Sequence, residues 1–477
     1  MKTLLSSIQQ ICADNHQAAF IVGGYLRDIL LGRKPGDIDL ALEEPARNLV
    51  KELARKLDGT LVILDGKRSV YRLIINTKNS SSQIDIEGIN PGGLLSDQAR
   101  RDFTINALAV PLDQYLHNPC WKECIIDPMG GLADLQRGTI RVCSETSIEN
   151  DPLRALRAFR LAANLGLVLE PGAIRLIAQL QKQVLACAGE RIWDELAAIF
   201  IHPQSVPVIR LMDTECGLLE KIIPELAPLK DMVQGGHHTD DAWEHSLKTL
   251  EIFERIIDSG LPSDLNDKII GYTSKKITRS RNRLPALKLA CLLHDVGKQF
   301  CREYAGNGKY TFYNHHKLGV PVAGAVAGRL KLSGAENQII KTLVGSHMDP
   351  LFLYKDNPPS PRALRRFFSR SGLETTGLLL LSLADITASR TASGHKDEAW
   401  SYRKFILDLL NKYLNENNRY VSPSRLLDGN DICVILGIKP SKRVGRVLES
   451  LADAQVEGLA RTKEEAVAFI KQYKRPT

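Results

Sequence analysis

Hydrophobic and polar positions change their period near residue 147 of the 477-residue chain. Before that point, short apolar bursts dominate. Phe20–Val22 reads as a buried strand running into Gly23-Gly24, and a short amphipathic helix follows from Tyr25 to Leu31. After the turn Gly32–Gly36 comes a second strand carrying Asp37 and Asp39. Ala46–Leu57 has helical spacing, and Thr60–Leu64, Val70–Asn76 and Gln83–Glu87 read as strands. Asp65–Arg68 is the expected turn and Thr77–Ser82 a polar loop. From Ser147 the period becomes helical, opening with an acidic N-terminus and Pro152 near the first turn. Helical spacing then continues to the C-terminal region, where Thr462 and Glu465 form a capping-box candidate. The pattern predicts an α/β head, a mixed sheet with helices, followed by all-α domains. Expected boundaries are 1–140 for the head, 141–228 for a neck, 229–414 for a third domain and 415–477 for a tail. The polar stretch Asn415–Pro423 is the linker candidate.

The head carries the first candidate chemistry. Residues i and i+2 of a strand face the same way, so Asp37 and Asp39 stand side by side. Two adjacent carboxylates repel each other, and a pair of divalent ions relieves that cost. Gly23-Gly24 at a strand end lets phosphate oxygens approach the N–H groups of a helix start. Asp85 and Glu87 share a strand face and are candidates to join the pair. Arg100-Arg101-Asp102 heads an apolar strand or helix ending at Val110, and guanidinium forks match phosphate oxygens. Arg154, Arg157 and Arg160 recur every three residues, with Asp151 placed to share a face with Arg154.

A second chemistry lies in the helical region. His245, the His294-Asp295 pair, His315-His316, His347 and Asp385 supply ligand types for one or two divalent metals on facing helices. Asp385 stands in an apolar run, where an unpaired carboxylate is costly.

A net charge of +8 favours a polyanionic partner, and 6% aromatic residues argue against a surface dominated by base stacking. The densest apolar run, Leu378–Leu381, is too short for a bilayer, so no membrane partner is expected. Nine scattered cysteines and an N-terminus without a signal-peptide core point to a cytoplasmic protein. Pro262–Arg283 reads as an exposed basic inserted loop and Pro361–Gly372 as a helix with a basic face.

The pattern GG-x-x-R-D…D-x-D resembles the head of the polymerase-β-like nucleotidyltransferases that include bacterial tRNA CCA-adding enzymes and poly(A) polymerases. RRDFTINA (Arg100–Ala107), DPMGGLADLQRGTIR (Asp127–Arg141) and GERIWDEL (Gly189–Leu196) match further motifs of that class. The histidine–aspartate series resembles the HD phosphohydrolase domain, and the tail resembles the tRNA-contacting C-terminal domain of HD-bearing members. The resemblance implies nucleotidyl transfer from CTP and/or ATP to tRNA, with Asp37 and Asp39 holding Mg²⁺. It implies that Gly23, Gly24, Arg27, Asp28 and Lys34, with Arg101, Asp102 and Asn106, bind the nucleotide. Asp151 and Arg154 would select the base, with Arg157 and Arg160 beside them. His245, His294, Asp295 and Asp385 match the primary HD ligands for a divalent metal, and His316 and His347 are candidates for a second ion.

A poly(A) polymerase of the same class is the nearest alternative, and an HD phosphohydrolase as the main activity is the alternative of another kind. Leu64–Leu73 lacks the basic signature of the bacterial polymerases, which favours the tRNA enzyme. Glu87–Gly93 has no arginine where the family often carries Arg-Gly, so full CCA addition and partial CC- or A-addition both stay open.

Overall fold

A computed structural model of the chain describes residues 2–66, 69–76, 81–89, 92–235, 238–306, 309–356, 358–416, 420, 421 and 423–472. The expected turn at Lys67-Arg68, most of the loop at 77–82, Asn90-Pro91 of the arginine-free stretch and the middle of the linker lie outside the described residues. The fold divides into two compact units, residues 1–187 with 211–221, and residues 188–210 with 222–477. The first unit joins the expected head to the first part of the expected neck.

The first unit is built on six strands: β1 (Ala19–Val22), β2 (Ile38–Leu42), β3 (Thr60–Asp65), β4 (Val70–Asn76), β5 (Ser81–Gly88) and β6 (Ala109–Pro111). Their order is β3-β4-β5-β2-β1-β6, with β2 and β5 parallel and the other pairs antiparallel. Alternation along the strands divides the sheet chemically. Ile38, Leu40 and Leu42 of β2, Ile84 and Ile86 of β5, and Tyr71, Leu73 and Ile75 of β4 enter one core with helices α1 (Lys2–Asp14) and α3 (Ala46–Lys56). Their intervening neighbours, Asp39, Asp85, Glu87 and Arg72, therefore face the other side, where the candidate site lies. Between β1 and β2 runs α2 (Gly23–Leu30), which begins two residues earlier than the periodicity indicates. The segment after Arg100–Arg101 resolves into a short 3₁₀ turn (Thr104–Asn106) and β6.

The helix expected to open around Pro152 starts later. Thr146–Asn150 forms a separate short helix, Asp151 is extended, and the long helix α4 spans Arg154–Leu165.

The second unit is helical. Its centre contains α5 (Ala242–Ser259), α6 (Leu284–Leu293), α7 (His315–Arg329), α8 (Gly334–Ser346) and α10 (Thr375–Ala392), and α5 packs on both α6 and α10. Residues 262–283 are only in part a solvated loop, with Lys275, Lys276 and Arg279 exposed outside any helix. Ser263–Ser274 forms a helix that buries Leu265 and Ile269. Arg281 pairs with Glu336 at 2.8 Å and with Asp194, and Arg283 pairs with Glu374. These basic residues are spent on internal carboxylates, which a one-dimensional charge count does not show.

The basic helix is α9 (Pro361–Ser371). Its basic face docks in part, with the Arg362, Arg366 and Arg370 side chains still 47%, 55% and 70% exposed. Arg362, Arg365 and Arg366 converge on buried Asp453 of α11 (Lys442–Val456) at 3.2, 2.5 and 2.9 Å. The tail has its own apolar cluster around Leu427, Val447, Leu451 and Ile470, and Thr462 forms the expected capping box with Glu465.

Candidate active site and metal centre

In the first unit a cavity of about 700 Å³ opens on the polar face of the sheet. Gly23 sits at φ +66° at the start of α2, and a Cβ there would come within 2.9 Å of Asp39 Oδ2. Only glycine combines that backbone with so close a carboxylate. The α2 N-terminus thus reaches Asp39, whose Oδ2 accepts from the Tyr25 N–H at 3.1 Å. Asp39 lies directly across the parallel pair from Asp85, and Asp85 lies across from Arg72, which grips it through two hydrogen bonds of 2.8 Å. Asp37, one residue before β2, accepts from Gln83 at 2.6 Å.

The electrostatics are those of an undercompensated acidic centre. Burial pushes the Asp39 carboxyl up to about 6; the Tyr25 N–H and Arg101 resist this and Asp85 adds to it. Asp37 is also raised, first by burial and then by Asp85, against Arg72 and Gln83. Two oxygen donors held in such a place suit a hard divalent cation.

The expected nucleotide-binding residues separate into three sets. Arg27, Asp28, Arg101, Asp102, Asn106, Arg157 and Arg160 line the cavity with the two glycines. They form a braced chain. Arg27 donates to Asp28 Oδ1 at 2.7 and 2.8 Å and to Asn106 at 2.7 Å; Asn106 and Arg157 in turn donate to Asp102 at 3.0 and 3.1 Å. Burial opposes ionisation of Asp102, but Arg157 and Asn106 outweigh it and hold the carboxyl below its usual range. Arg101 is held by Glu87 at 3.1 Å and Asp97 at 3.2 Å. Lys34 is exposed and lies outside the cavity wall.

Asp151 and Arg154 are also outside it. Arg154 donates to the carbonyls of Arg100, Arg101 and Ser147, bracing the chain behind the site. The expected shared helix face does not form because α4 begins at Arg154, leaving Asp151 extended. Arg157 and Arg160, further along this helix, reach the cavity together with Leu161. Arg72 and Gln83 were missed. Arg72 meets Asp85 through the antiparallel register of β4 against β5, and Gln83 reaches Asp37 from the β5 strand that runs parallel to β2, pairings that strand boundaries alone do not give.

In the second unit four helices bring the histidines together. Two groups of three ligand atoms each lie within 4.8 Å of one another: His245, His294 and Asp295, then Asp295, His315 and His347. Asp385 closes on the first group, with Oδ1 3.0 Å from His245 Nε2 and 3.9 Å from His294 Nε2. His294, His315 and His347 each place Nδ1 2.8–2.9 Å from the carbonyl three residues earlier, those of Cys291, Phe312 and Val344. Such bonds make Nδ1 the protonated nitrogen and turn the Nε2 lone pairs inward, the usual preparation of a metal-binding imidazole. His315 Nε2 and His347 Nε2 face each other at 3.0 Å, and buried His294 Nε2 stands 3.2 Å from Asp295 Oδ2 without a well-directed hydrogen bond among the described residues. Nitrogen and oxygen donors aimed at common points fit one or two divalent ions.

His316, expected as the second-ion ligand, is not in either group. Successive helical residues point about 100° apart, so His315 takes the place at Asp295 (3.2 Å) while the His316 ring lies 6.4 Å from that of Phe352. Burial opposes ionisation of Asp295, but His294 and Lys298 hold its carboxyl well below the ordinary range; Asp385 is held low by His245 and His294. Burial pushes the His347 imidazole down to about 3.

Comparison with known proteins agrees with this layout. Residues 19–141 match the Poly A polymerase head domain, 166–230 the probable RNA and SrmB-binding site of polymerase A, and 242–388 the HD domain. The A-adding tRNA nucleotidyltransferase of Deinococcus radiodurans is 32% identical over 96% of both chains. The CC-adding enzyme of Thermus thermophilus is 33% identical over 95% of this chain and 93% of its own. Among solved structures, a CCA-adding enzyme complexed with CTP aligns with a TM-score of 0.67 at 21% identity, covering 98% of this chain and 94% of that one. The Thermotoga maritima CCA-adding enzyme complexed with tRNA aligns at 0.64 and 21%, with the same coverages. These two support the fold.

Proposed function

The chain belongs to the tRNA nucleotidyltransferase family, and on that premise we propose that it transfers C and/or A residues from CTP and/or ATP to the 3′ end of tRNA. The observation that carries this is the pair Asp37 and Asp39 at the mouth of the glycine-rich α2 start, inside a cavity edged by Arg27, Arg101, Arg157 and Arg160. Asp37 and Asp39 are the residues to hold Mg²⁺, which when bound offsets charge on the triphosphate and activates the RNA 3′-hydroxyl. Gly23 and Gly24 let the phosphates approach the α2 backbone, and Arg101, Arg157 and Arg160 offer guanidinium groups to them. Asp102 fixes Arg157 and Asn106 fixes Arg27, so that little ordering of these two is left for the moment of binding. Base selection by Asp151 and Arg154 is proposed from the family resemblance, with Arg157 and Arg160 of the same region lining the cavity itself.

The HD cluster supports a secondary metal-dependent phosphohydrolase activity, for which its paired triads of N and O donors are suited. No helix among the described residues is long and apolar enough to cross a membrane, and all nine cysteines are free, which suits work in a reducing cytoplasm.

The test is incubation of the purified chain with Mg²⁺, labelled CTP or ATP, and tRNAs ending before CCA, after C or after CC. Incorporation that stops within the CCA positions supports the proposal, and the acceptors extended assign CC-, A- or full CCA-addition. A long A-tail identifies a poly(A) polymerase, and no incorporation refutes nucleotidyl transfer.

A further inference from the structure

The two β2 carboxylates are anchored unequally. Asp39 is held by backbone: the Tyr25 N–H donates to its Oδ2, and Gly23 closes over it at φ +66°. Asp37 has no such seat. It stands one residue before β2, where the sheet ladder has not yet fixed the chain, and it is exposed. Burial and the charge of Asp85 both work against its ionised form. Among the described residues its hydrogen-bond donor is Gln83, whose Nε2 lies 2.6 Å from Asp37 Oδ2 and 3.5 Å from Asp85 Oδ1. The parallel register explains the meeting. Ile38 pairs with Ile84 and Asp39 with Asp85, so Asp37 and Gln83, each one residue before the Ile38–Ile84 pair, come together on the polar face.

The chemistry of this donor matters. A carboxylate only accepts, so the amide must present its NH₂ group. An amide carries no charge, so it fixes Asp37 Oδ2 and leaves the negative charge for a cation. Arg72 does the opposite at Asp85, where two hydrogen bonds of 2.8 Å bring a full positive charge. Gln83 itself stands outside the cavity wall that Asp37, Asp39 and Asp85 line, so its effect there passes through Asp37. We propose that Gln83 is a positioning residue for the head's divalent metal, holding one Asp37 oxygen and leaving the other, with the charge, to the ion. This rests on the reading of Asp37 and Asp39 as metal ligands and names what steadies the more weakly anchored of the two.

The test is Mn²⁺ binding to the full chain without nucleotide or tRNA, read by electron paramagnetic resonance of the free ion. Each variant is measured with and without Asp39→Ala, and the difference separates the head from the second unit's cluster. Gln83→Ala, and Gln83→Asn with its amide one methylene short, should weaken the Asp39-dependent affinity about tenfold. Gln83→Lys keeps a donor but brings a charge, and should weaken it at least as much. In nucleotide addition the half-saturating Mg²⁺ should rise by the same factor, with KM for CTP or ATP at saturating Mg²⁺ unchanged. An Asp39-dependent affinity unchanged in both Gln83→Ala and Gln83→Asn, or a loss confined to the nucleotide KM, would overturn the positioning role alone. Full affinity in Gln83→Lys would overturn the need for an uncharged donor. No Asp39-dependent Mn²⁺ binding in the parent chain would overturn the metal reading of the two carboxylates as well.

Discussion

Asp39 and Asp37 in the first unit and Asp295 and Asp385 in the second are all placed to hold metal, yet their surroundings push them in opposite directions. The first pair is raised, because burial and the neighbouring Asp85 outweigh a few hydrogen bonds. The second pair is held low against burial, Asp295 by His294 and Lys298 and Asp385 by His245 and His294 in the same cluster. The difference lies in who compensates the charge. Arg72, the cation that acts on Asp37, is committed to Asp85, so further relief for Asp37 and Asp39 would come with bound divalent ions. The histidine cluster carries much of its relief already. The head is thereby built to respond to its substrate complex, and the cluster to persist without one.

The sharpest way to break this comparison is Asp39→Ala. Nucleotide addition should fall on the order of 10³-fold, since several kcal/mol of charge stabilisation are lost, while tRNA retention in a gel-shift assay stays nearly unchanged. Retained addition would refute the two-carboxylate mechanism. Gly23→Ala acts on the same point through sterics. The new Cβ displaces the Asp39 carboxylate from a left-handed backbone position, and kcat/KM for CTP or ATP should fall about 10²-fold. A fall confined to KM would place the glycine in substrate binding alone.

The raised Asp39 sets the next expectation. Proton and metal compete for one carboxylate, so the ionised form prevails above about pH 6 and the neutral form below it. At limiting Mg²⁺, addition should drop about tenfold per pH unit below that point, and added Mg²⁺ should shift the inflection to lower pH. An inflection near pH 4, unmoved by Mg²⁺, would mean that Asp39 is compensated after all. The smallest effect separates adjacent histidines. His315→Ala should lower the metal bound by the cluster by about half, measured by elemental analysis in an Asp39→Ala background, and His316→Ala should leave it unchanged. The reverse result would restore His316 as the ligand.

Local spacing carried much of this molecule. The period-two bursts placed β1, β2, β4 and β5, and the i, i+2 rule put Asp39 on the polar face opposite Leu40 because strand pleating leaves no other choice. Gly23-Gly24 announced a backbone that must approach an anion, and the HD pair with its flanking histidines announced ligand chemistry. Those features depend on neighbours a few residues away, so the linear chain contains them. The capping box at Thr462 is legible for the same reason.

Long-range register and docking decided the rest. Arg72 meets Asp85 only because β4 runs antiparallel to β5 in one particular register, and a shift of one residue would send it to the core. Arg157 and Arg160 line the cavity and Arg154 does not, because the helix starts three residues after Asp151. Charge patterns also misled wherever partners lay far along the chain: Arg281 finds Glu336, and Arg365 finds Asp453. The sequence alone determined the candidate donor types and the strand faces, since residue type and short spacing fix both. Tertiary structure alone decided which of them converge, because the burial of a charge is set by groups that only the folded chain brings within a few ångströms.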